Sequence, residues 1–399
     1  MPTASPQRKS PPRQTGRRRA KDQRNVTFVT GTRAEFGLMA TTLDWIVRHH
    51  RLRLQIVATG MHLSKKHGYT LNDIKKEGWP VAATVPWPGG LTESAMASAT
   101  GGAVEKLTAT FEKLKTDIVL VVGDRVEAFA AATAGQLSGK IVAHVHGGDR
   151  AMGQVDDTLR HAITKLSHIH FAATPQSADR IAKLGEDRSR IFCFGAPGID
   201  GITSLAKGRA HIQRTYKVKA GRFGLVVLHP TDTDAKKEVE RAKLLLAAMQ
   251  ADKRRYVIIY PNNDPGSAGI SSVWDTLKAK PNITLLKNVP RADFVGLMRD
   301  CATLIGNSSS GIIEAASFGT PVIDIGPRQE GREHGGNVLH VDFEKRAIAL
   351  AIRASGGEGW NVKFPAVNLY GGANTGKRIA HALGSLIITP ELRRKLITY

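Results

Sequence analysis

Ile141-Val-Ala-His-Val-His-Gly-Gly-Asp149 and, seven residues on, Asp156-Asp-Thr-Leu-Arg-His-Ala-Ile-Thr-Lys-Leu-Ser-His168 read as strand, polar loop and helix. Ile141-Val-Ala has the apolar character of a buried parallel strand. Gly147 and Gly148 interrupt it, and Asp156, Asp157 and Thr158 carry the short polar side chains that cap a helix start. Leu159, Ile163 and Leu166 then recur at helical spacing. Open α/β sheets place their ligands at such junctions, outside the carboxyl ends of the strands. This junction gathers His144, His146, Asp149, Asp156, Asp157, Arg160, His161, Lys165 and His168. Asp156 and Arg160 are four apart on one helix face, as are Asp157 and His161. Acids, bases and cations so gathered suit proton transfer on a charged substrate. A solvated, salt-bridged helix start accounts for the spacing equally well.

Outward from this stretch the same alternation continues in both directions. Val26–Thr30, Leu54–Ala58 and Ile118–Val122 are predicted strands before it, and His170–Thr174 and Ile191–Phe194 follow it. A second series has strands at Phe223–Leu228, Tyr256–Tyr260, Ile283–Leu286, Thr303–Ile305 and Val322–Ile325, with a helix over Ala235–Met249. Strands too apolar to be half-exposed, alternating with helices, predict parallel sheets covered on both faces. The expected fold is α/β, two doubly wound Rossmann-like domains with a ligand cleft between them. The expected boundaries are a basic tail over 1–24, a first domain over 25–200, a second over 201–375, and closing helices over 376–399. The stretch from Thr59 to Ser94, rich in Gly, Pro, Lys and Trp, reads as mobile and substrate-side.

The chain has 399 residues, 41% hydrophobic and 23% charged, with a net charge of +22. Residues 1–24 carry eight Lys/Arg against Asp22 alone, a net +7 with almost nothing apolar. Such a segment cannot bury enough surface to fold. Its charge alone allows non-specific contact with nucleic acid or acidic lipid, though a passive tail is the simpler reading. No apolar run approaches the roughly 18–20 residues that cross a bilayer, so neither a membrane partner nor a membrane span is expected, and the expected location is cytoplasmic. Two distant cysteines, Cys193 and Cys301, suggest a reduced compartment with both thiols as small core residues, and no zinc set accompanies them.

Three further motifs stand at predicted strand ends. Gly31-Thr-Arg-Ala-Glu-Phe-Gly37 opens the first helix, where backbone N–H groups favour an anion and Arg33 can fork onto phosphate oxygens. Gly306-Asn-Ser-Ser-Ser-Gly-Ile-Ile-Glu314 presents three hydroxyls and successive N–H groups at a helix start, a seat for a diphosphate. Glu314, one turn on, could accept from the two hydroxyls of a ribose, and Arg328 could add a cation. Gly123-Asp124-Arg125 and His229-Pro230-Thr231 offer a carboxylate and an imidazole as acid/base candidates. Asn262, after the strand Tyr256–Tyr260, joins Arg125, Arg160 and His161 as a substrate-binding candidate.

Gly-Asp-Arg at 123–125, the 156–168 run, the 306–314 run, Phe-Gly-Thr-Pro-Val-Ile at 318–323 and Arg328-Gln-Glu-Gly-Arg332 occur together and in order. The chain thereby resembles the hydrolysing UDP-N-acetylglucosamine 2-epimerases of sialic-acid and related nonulosonate biosynthesis, over roughly residues 25–385. The resemblance implies the two-domain arrangement called GT-B, a nucleotide-sugar substrate, no metal or other cofactor, and a homo-oligomer, dimer or tetramer. It implies that Ser308, Ser309, Glu314 and Arg328 hold UDP, with Arg33 reaching it from the first domain. Asp124 and Asp156 match two catalytic carboxylates of the family, and His229 its histidine beside the diphosphate. The implied reaction removes the C2 proton as UDP leaves C1, then adds water across the resulting glycal to release the free 2-epimer. His146 departs from the pattern, because many members carry Glu there. Either His146 or nearby Asp149 could take over the missing carboxylate's part, and the change could accompany a modified sugar such as a 2,4-diacetamido-trideoxyhexose. Competing readings are a non-hydrolysing 2-epimerase, a GT-B glycosyltransferase, which would not need the carboxylate cluster, and a non-catalytic sugar-nucleotide sensor.

Overall fold

The computed structural model describes residues 23–65, 68–87, 93–150, 156–252, 254–261, 264–287, 289–355, 364–371 and 373–399. Asn262 and nearly all of the basic tail fall outside the described residues. The chain forms two compact units. The first takes the described residues up to Asp149, then Thr158–Asp200 and the C-terminal residues from 373 on. The second takes Arg150, Asp156, Asp157 and the described residues between Gly201 and Gly371.

The first unit is built on β1 (Arg24–Thr30), β2 (Leu52–Ala58), β3 (Val81–Thr84), β4 (Ile118–Val122), β5 (Ile141–Val145), β6 (Ile169–Ala172) and β7 (Ile191–Cys193). They form one sheet in the order β3-β2-β1-β4-β5-β6-β7, parallel at every pairing. Both faces of the sheet are covered, which is why the strands lack polar alternation. In β4, Ile118, Leu120 and Val122 enter one apolar cluster, while Val119 and Val121 enter the other. The period of two has put successive side chains on opposite, equally buried faces.

The second unit repeats this plan with β8 (Phe223–Val227), β9 (Arg255–Ile259), β10 (Ile283–Leu286), β11 (Thr303–Gly306), β12 (Val322–Ile325) and β13 (Val338–Val341). Its order is β10-β9-β8-β11-β12-β13, again all parallel. The α/β class, with two parallel-sheet units, is as the sequence predicts. No helix among the described residues is long and apolar enough to cross a membrane.

After the second unit the chain returns to the first. Helix Thr375–Ser385 packs Ile379, Ala380 and Leu383 into the cluster that holds Met39, Leu43 and Ile46 of helix Arg33–Arg48. Gly376 permits the approach, since a Cβ there would lie 2.7 Å from the Thr42 nitrogen.

Several elements differ from the sequence expectations. β3 lies within the stretch read as mobile. It is an edge strand of small, half-exposed residues, so no apolar run announces it. Helix Glu93–Lys113 is hidden by Gly101 and Gly102, although Ala103, Leu107 and Phe111 bury one face at four-residue spacing. Of the two cysteines, Cys301 is buried as expected, whereas Cys193 is exposed. It ends β7, the edge strand of its sheet.

Candidate active site

In an open parallel sheet the strand order reverses at a switch point, and loops leaving adjacent strands part there to leave a crevice. In the first unit the reversal falls between β1 and β4. The segments leaving β1, β4 and β5 are Gly31–Thr32, Gly123–Arg125 and His146–Asp149.

The helix start after β1 is closed by its own residues. Thr32 caps helix Arg33–Arg48, and Glu35 completes a capping box. Glu35 Oε2 accepts from the Gly31 and Thr32 N–H groups at 2.8 and 2.9 Å. The expected anion seat is therefore partly occupied by a side-chain carboxylate, a pattern legible as Thr-x-x-Glu in the sequence. Glu127 lies across the same turn: a Cβ on Gly31 would come within 2.8 Å of its Cδ. Arg125 forks onto Glu127 at 3.1 and 3.3 Å. Burial, opposed by Arg125 and reinforced by the charge of Glu127, pushes the Glu35 pKa up to about 7. Arg33 stays exposed, 3.7 Å from Asp73.

Arg160 decides how the next two loops are joined. The residue is 1% exposed although it sits on the first turns of helix Asp156–Leu166. One guanidinium nitrogen donates to Asp124 Oδ2, and Nη1 donates to the Asp149 carbonyl at 2.9 Å. A buried guanidinium requires such partners, because an uncompensated charge is costly. The solvated helix face that fits the spacing does not describe Arg160. Asp156 and Asp157 occupy the first turn of that helix, half-buried, where negative charge suits the helix dipole. His161 is half-buried one turn later.

The histidines divide by environment. His144 is fully buried, with Nε2 against the Gly123 carbonyl at 2.8 Å and Nδ1 against Thr164 Oγ1 at 3.2 Å. A carbonyl accepts only, so Nε2 carries the proton and Nδ1 accepts from Thr164. Burial pushes its pKa down to about 3, leaving a neutral strut between β5 and the Gly123 turn. His168 accepts from the Val142 N–H at 3.0 Å and is likewise depressed, to about 4, by burial. Lys165 and His170 converge on Glu186 at 2.7 and 3.0 Å. His146, paired with Asp149 at 3.0 Å, lies in the loop that follows β5.

In the second unit the order reverses between β8 and β11, which places His229 and Gly306–Asn307 at the switch point. Asn307 is fully buried. Its side chain accepts from the His229 N–H at 2.7 Å and donates to the His229 carbonyl at 2.9 Å. The Asn307 carbonyl in turn accepts from Arg328 Nη1 at 3.2 Å and Gln329 Nε2 at 2.9 Å. One residue thus ties together the loops after β8, β11 and β12. Gly306, at φ 135°, permits this, because a Cβ there would sit 2.1 Å from the Val227 carbonyl oxygen. Ser308 caps the short helix Ser309–Ile313, and its hydroxyl meets that of Ser310 at 2.8 Å. Glu314 is buried, with Oε2 held by Arg291 Nη1 at 2.6 Å. Arg328 is also 3.9 Å from Asp264. Glu238 accepts from the Thr231 and Asp232 N–H groups at 3.0 Å each, anchoring the loop behind His229.

Sequence reasoning singled out His229 and Glu314 but not Asn307, Arg291 or Glu238, whose parts depend on partners from distant strands. Among the described residues no cluster of three His, Cys, Asp or Glu side chains is placed to hold a metal ion.

The family model for UDP-N-acetylglucosamine 2-epimerase matches residues 45–384. The chain belongs to that family. It is 34% identical over 380 residues to the hydrolyzing UDP-N,N'-diacetylbacillosamine 2-epimerase of Legionella pneumophila, covering 94% of this chain and 100% of that protein. It is 32% identical over 370 residues to a UDP-N-acetylglucosamine 2-epimerase of Neisseria meningitidis, covering 92% and 96%. Among solved structures, the UDP-GlcNAc 2-epimerase from Neisseria meningitidis bound to UDP-GlcNAc aligns with a TM-score of 0.76 at 19% identity, covering 90% of this chain and 99% of that one. At that identity the likeness speaks to the fold, which is the GT-B epimerase type.

Proposed function

We propose that this protein is a hydrolysing 2-epimerase that converts UDP-N-acetylglucosamine, or a close UDP-2-acetamido sugar such as the 2,4-diacetamido type, to UDP and the free 2-epimer. The observation that carries the reading is Arg160, a buried guanidinium that binds the Asp124 carboxylate and the Asp149 carbonyl together. A guanidinium that ties a carboxylate of the loop after β4 to the backbone of the loop after β5, next to the reversal between β1 and β4, is more than ordinary sheet packing requires, and it supports a proton-transfer site there.

The proposed chemistry has two steps. In the first, a base takes the C2 proton, the C2–H pair becomes the C1=C2 bond, and the C1–O pair leaves with UDP. In the second, water adds its hydroxyl to C1 while an acid returns a proton to C2. Asp124 and Asp156 are assigned to these transfers together with His146 or Asp149. Arg125, Arg160, His161 and Asn262 bind the substrate. Arg33, Ser308, Ser309, Glu314 and Arg328 hold UDP, and His229 stands beside the diphosphate as it leaves. Preorganised cations and N–H groups aimed at a developing charge are the strongest means a site has to lower such a barrier.

The test is proton NMR of the protein with UDP-N-acetylglucosamine in deuterated water. Free UDP and N-acetylmannosamine deuterated at C2 are the expected products. UDP-N-acetylmannosamine would overturn the hydrolysing reading in favour of the non-hydrolysing one. Turnover of the 2,4-diacetamido sugar nucleotide alone would set the substrate.

A further inference from the structure

The loop His146-Gly-Gly-Asp149 holds a hydrogen-bonded chain that the sequence does not announce. Thr174 Oγ1 donates to Ser177 Oγ at 3.0 Å. Ser177 Oγ donates to Asp149 Oδ1 at 2.9 Å. Asp149 Oδ2 faces His146 Nδ1 at 3.0 Å. Asp149 and Ser177 are 4% and 2% exposed. Gly148 lets the helix that carries Ser177 approach, since a Cβ at its φ of +73° would stand 2.2 Å from the Ser177 carbonyl oxygen.

We propose that His146 and Asp149 form an acid–base dyad, in which Asp149 is a positioning residue and His146 Nε2 is the atom that exchanges the C2 proton. This rests on the 2-epimerase reading given above. A carboxylate accepts only, so the ring nitrogen facing it carries the proton and Nε2 of the neutral ring carries the lone pair. That nitrogen is buried and has no hydrogen-bond partner among the described residues. An unmet buried acceptor is costly and calls for a functional explanation. The backbone supplies a second sign: His146 has φ 65°, a left-handed conformation unusual for a residue with a side chain. Strain of this kind gathers where a side chain must be aimed. Asp149 itself is buried, with one oxygen on Ser177 and the other on His146. The neighbouring His144 has both nitrogens engaged.

The step balances within the elimination. Nε2 takes the C2 proton, the C2–H pair forms the C1=C2 bond, and the C1–O pair departs with UDP. The imidazolium so formed lies against the Asp149 carboxylate. The dyad thus stands in for a single carboxylate, with the negative charge moved one residue deeper.

The test joins nitrogen NMR of 15N-histidine-labelled protein to steady-state kinetics. His146→Gln identifies the resonances. In wild-type protein His146 is expected as the Nδ1–H tautomer. Asp149→Asn, whose amide can donate to Nδ1, is expected to switch it to Nε2–H and to lower kcat about 100-fold or more with KM within about threefold. His146→Gln is expected to lose C2 proton exchange by a similar factor while UDP still binds. Ser177→Ala serves as the milder variant, expected to keep the fold and lower kcat about tenfold. An Nε2–H tautomer in wild-type protein, or full activity of His146→Gln, would overturn the dyad. Failure of wild-type protein to turn over any UDP-2-acetamido sugar would instead overturn the 2-epimerase reading, and the nitrogen spectra would still decide the dyad geometry.

Discussion

Replacing Asn307 by leucine is expected to weaken the second unit and unmoor His229. The Asn307 side chain is fully buried and serves both the N–H and the carbonyl of His229. Leucine has the same heavy-atom branching, with bulkier methyl groups in place of the amide oxygen and nitrogen, and can serve neither. Each buried polar group left unmet costs roughly 1–3 kcal/mol, and the apolar burial of leucine offsets about 1 kcal/mol of the total. The expected net loss is about 1–5 kcal/mol, no more than the ~5–15 kcal/mol that keeps a domain folded. The Asn307 backbone carbonyl stays in place, so the bonds from Arg328 and Gln329 persist and the loss is confined to the side chain. Urea unfolding should show a lower midpoint with an unchanged slope, and hydrogen exchange should quicken at the His229 amide. On the proposed function, kcat should fall more than UDP affinity. A variant within about 0.5 kcal/mol of wild type, with the His229 amide still protected, would refute the view that this amide fixes the loop.

Glu35 titrates near 7 in the folded protein against a usual 4.5, so the native state binds more protons than the unfolded state between those values. Its contribution to stability is complete below about pH 4.5 and is lost as pH rises through 7, by up to about 3 kcal/mol; Glu35→Gln should flatten that decline in urea midpoints between pH 5 and 8, and an equal decline in both proteins would contradict the assignment. Asp124→Asn should abolish turnover while calorimetry still detects UDP binding, and should cost roughly 1–3 kcal/mol because Arg160 loses the Asp124 charge in a partly exposed pair; retained activity would remove Asp124 from the chemistry. Arg291→Met leaves the buried Glu314 carboxylate without the guanidinium that holds it, so UDP should bind about 10–100-fold more weakly; an unchanged Kd would mean that Glu314 does not orient the nucleotide.

The relation between what was legible and what was not follows the range of the signals. β4 and β8 announce themselves because burial on both faces demands an unbroken apolar run, and five or six residues suffice to display it. The capping box at Thr32 and Glu35 and the motifs at strand ends are local in the same sense. β3 and the 93–113 helix escape because small residues and paired glycines erase the apolar pattern that their few buried side chains would otherwise make. Spacing alone puts Arg160 on a helix face with Asp156 and gives no sign of its bond to Asp124, 36 residues away.

From sequence alone came the α/β class, the alternation of strands and helices, and the ordered motifs that mark the 2-epimerase family. Those properties depend on residues close together in the chain or on motif order. Tertiary structure alone decided the partners: Ser177 behind Asp149, Asn307 behind His229, Arg291 behind Glu314, and Arg160 between two strand ends. Parallel strands are joined by long crossovers, so residues that meet at a switch point lie tens of positions apart. Which of them meet is set by strand order and by the few glycines that let backbones close, and neither leaves a periodic trace in the sequence.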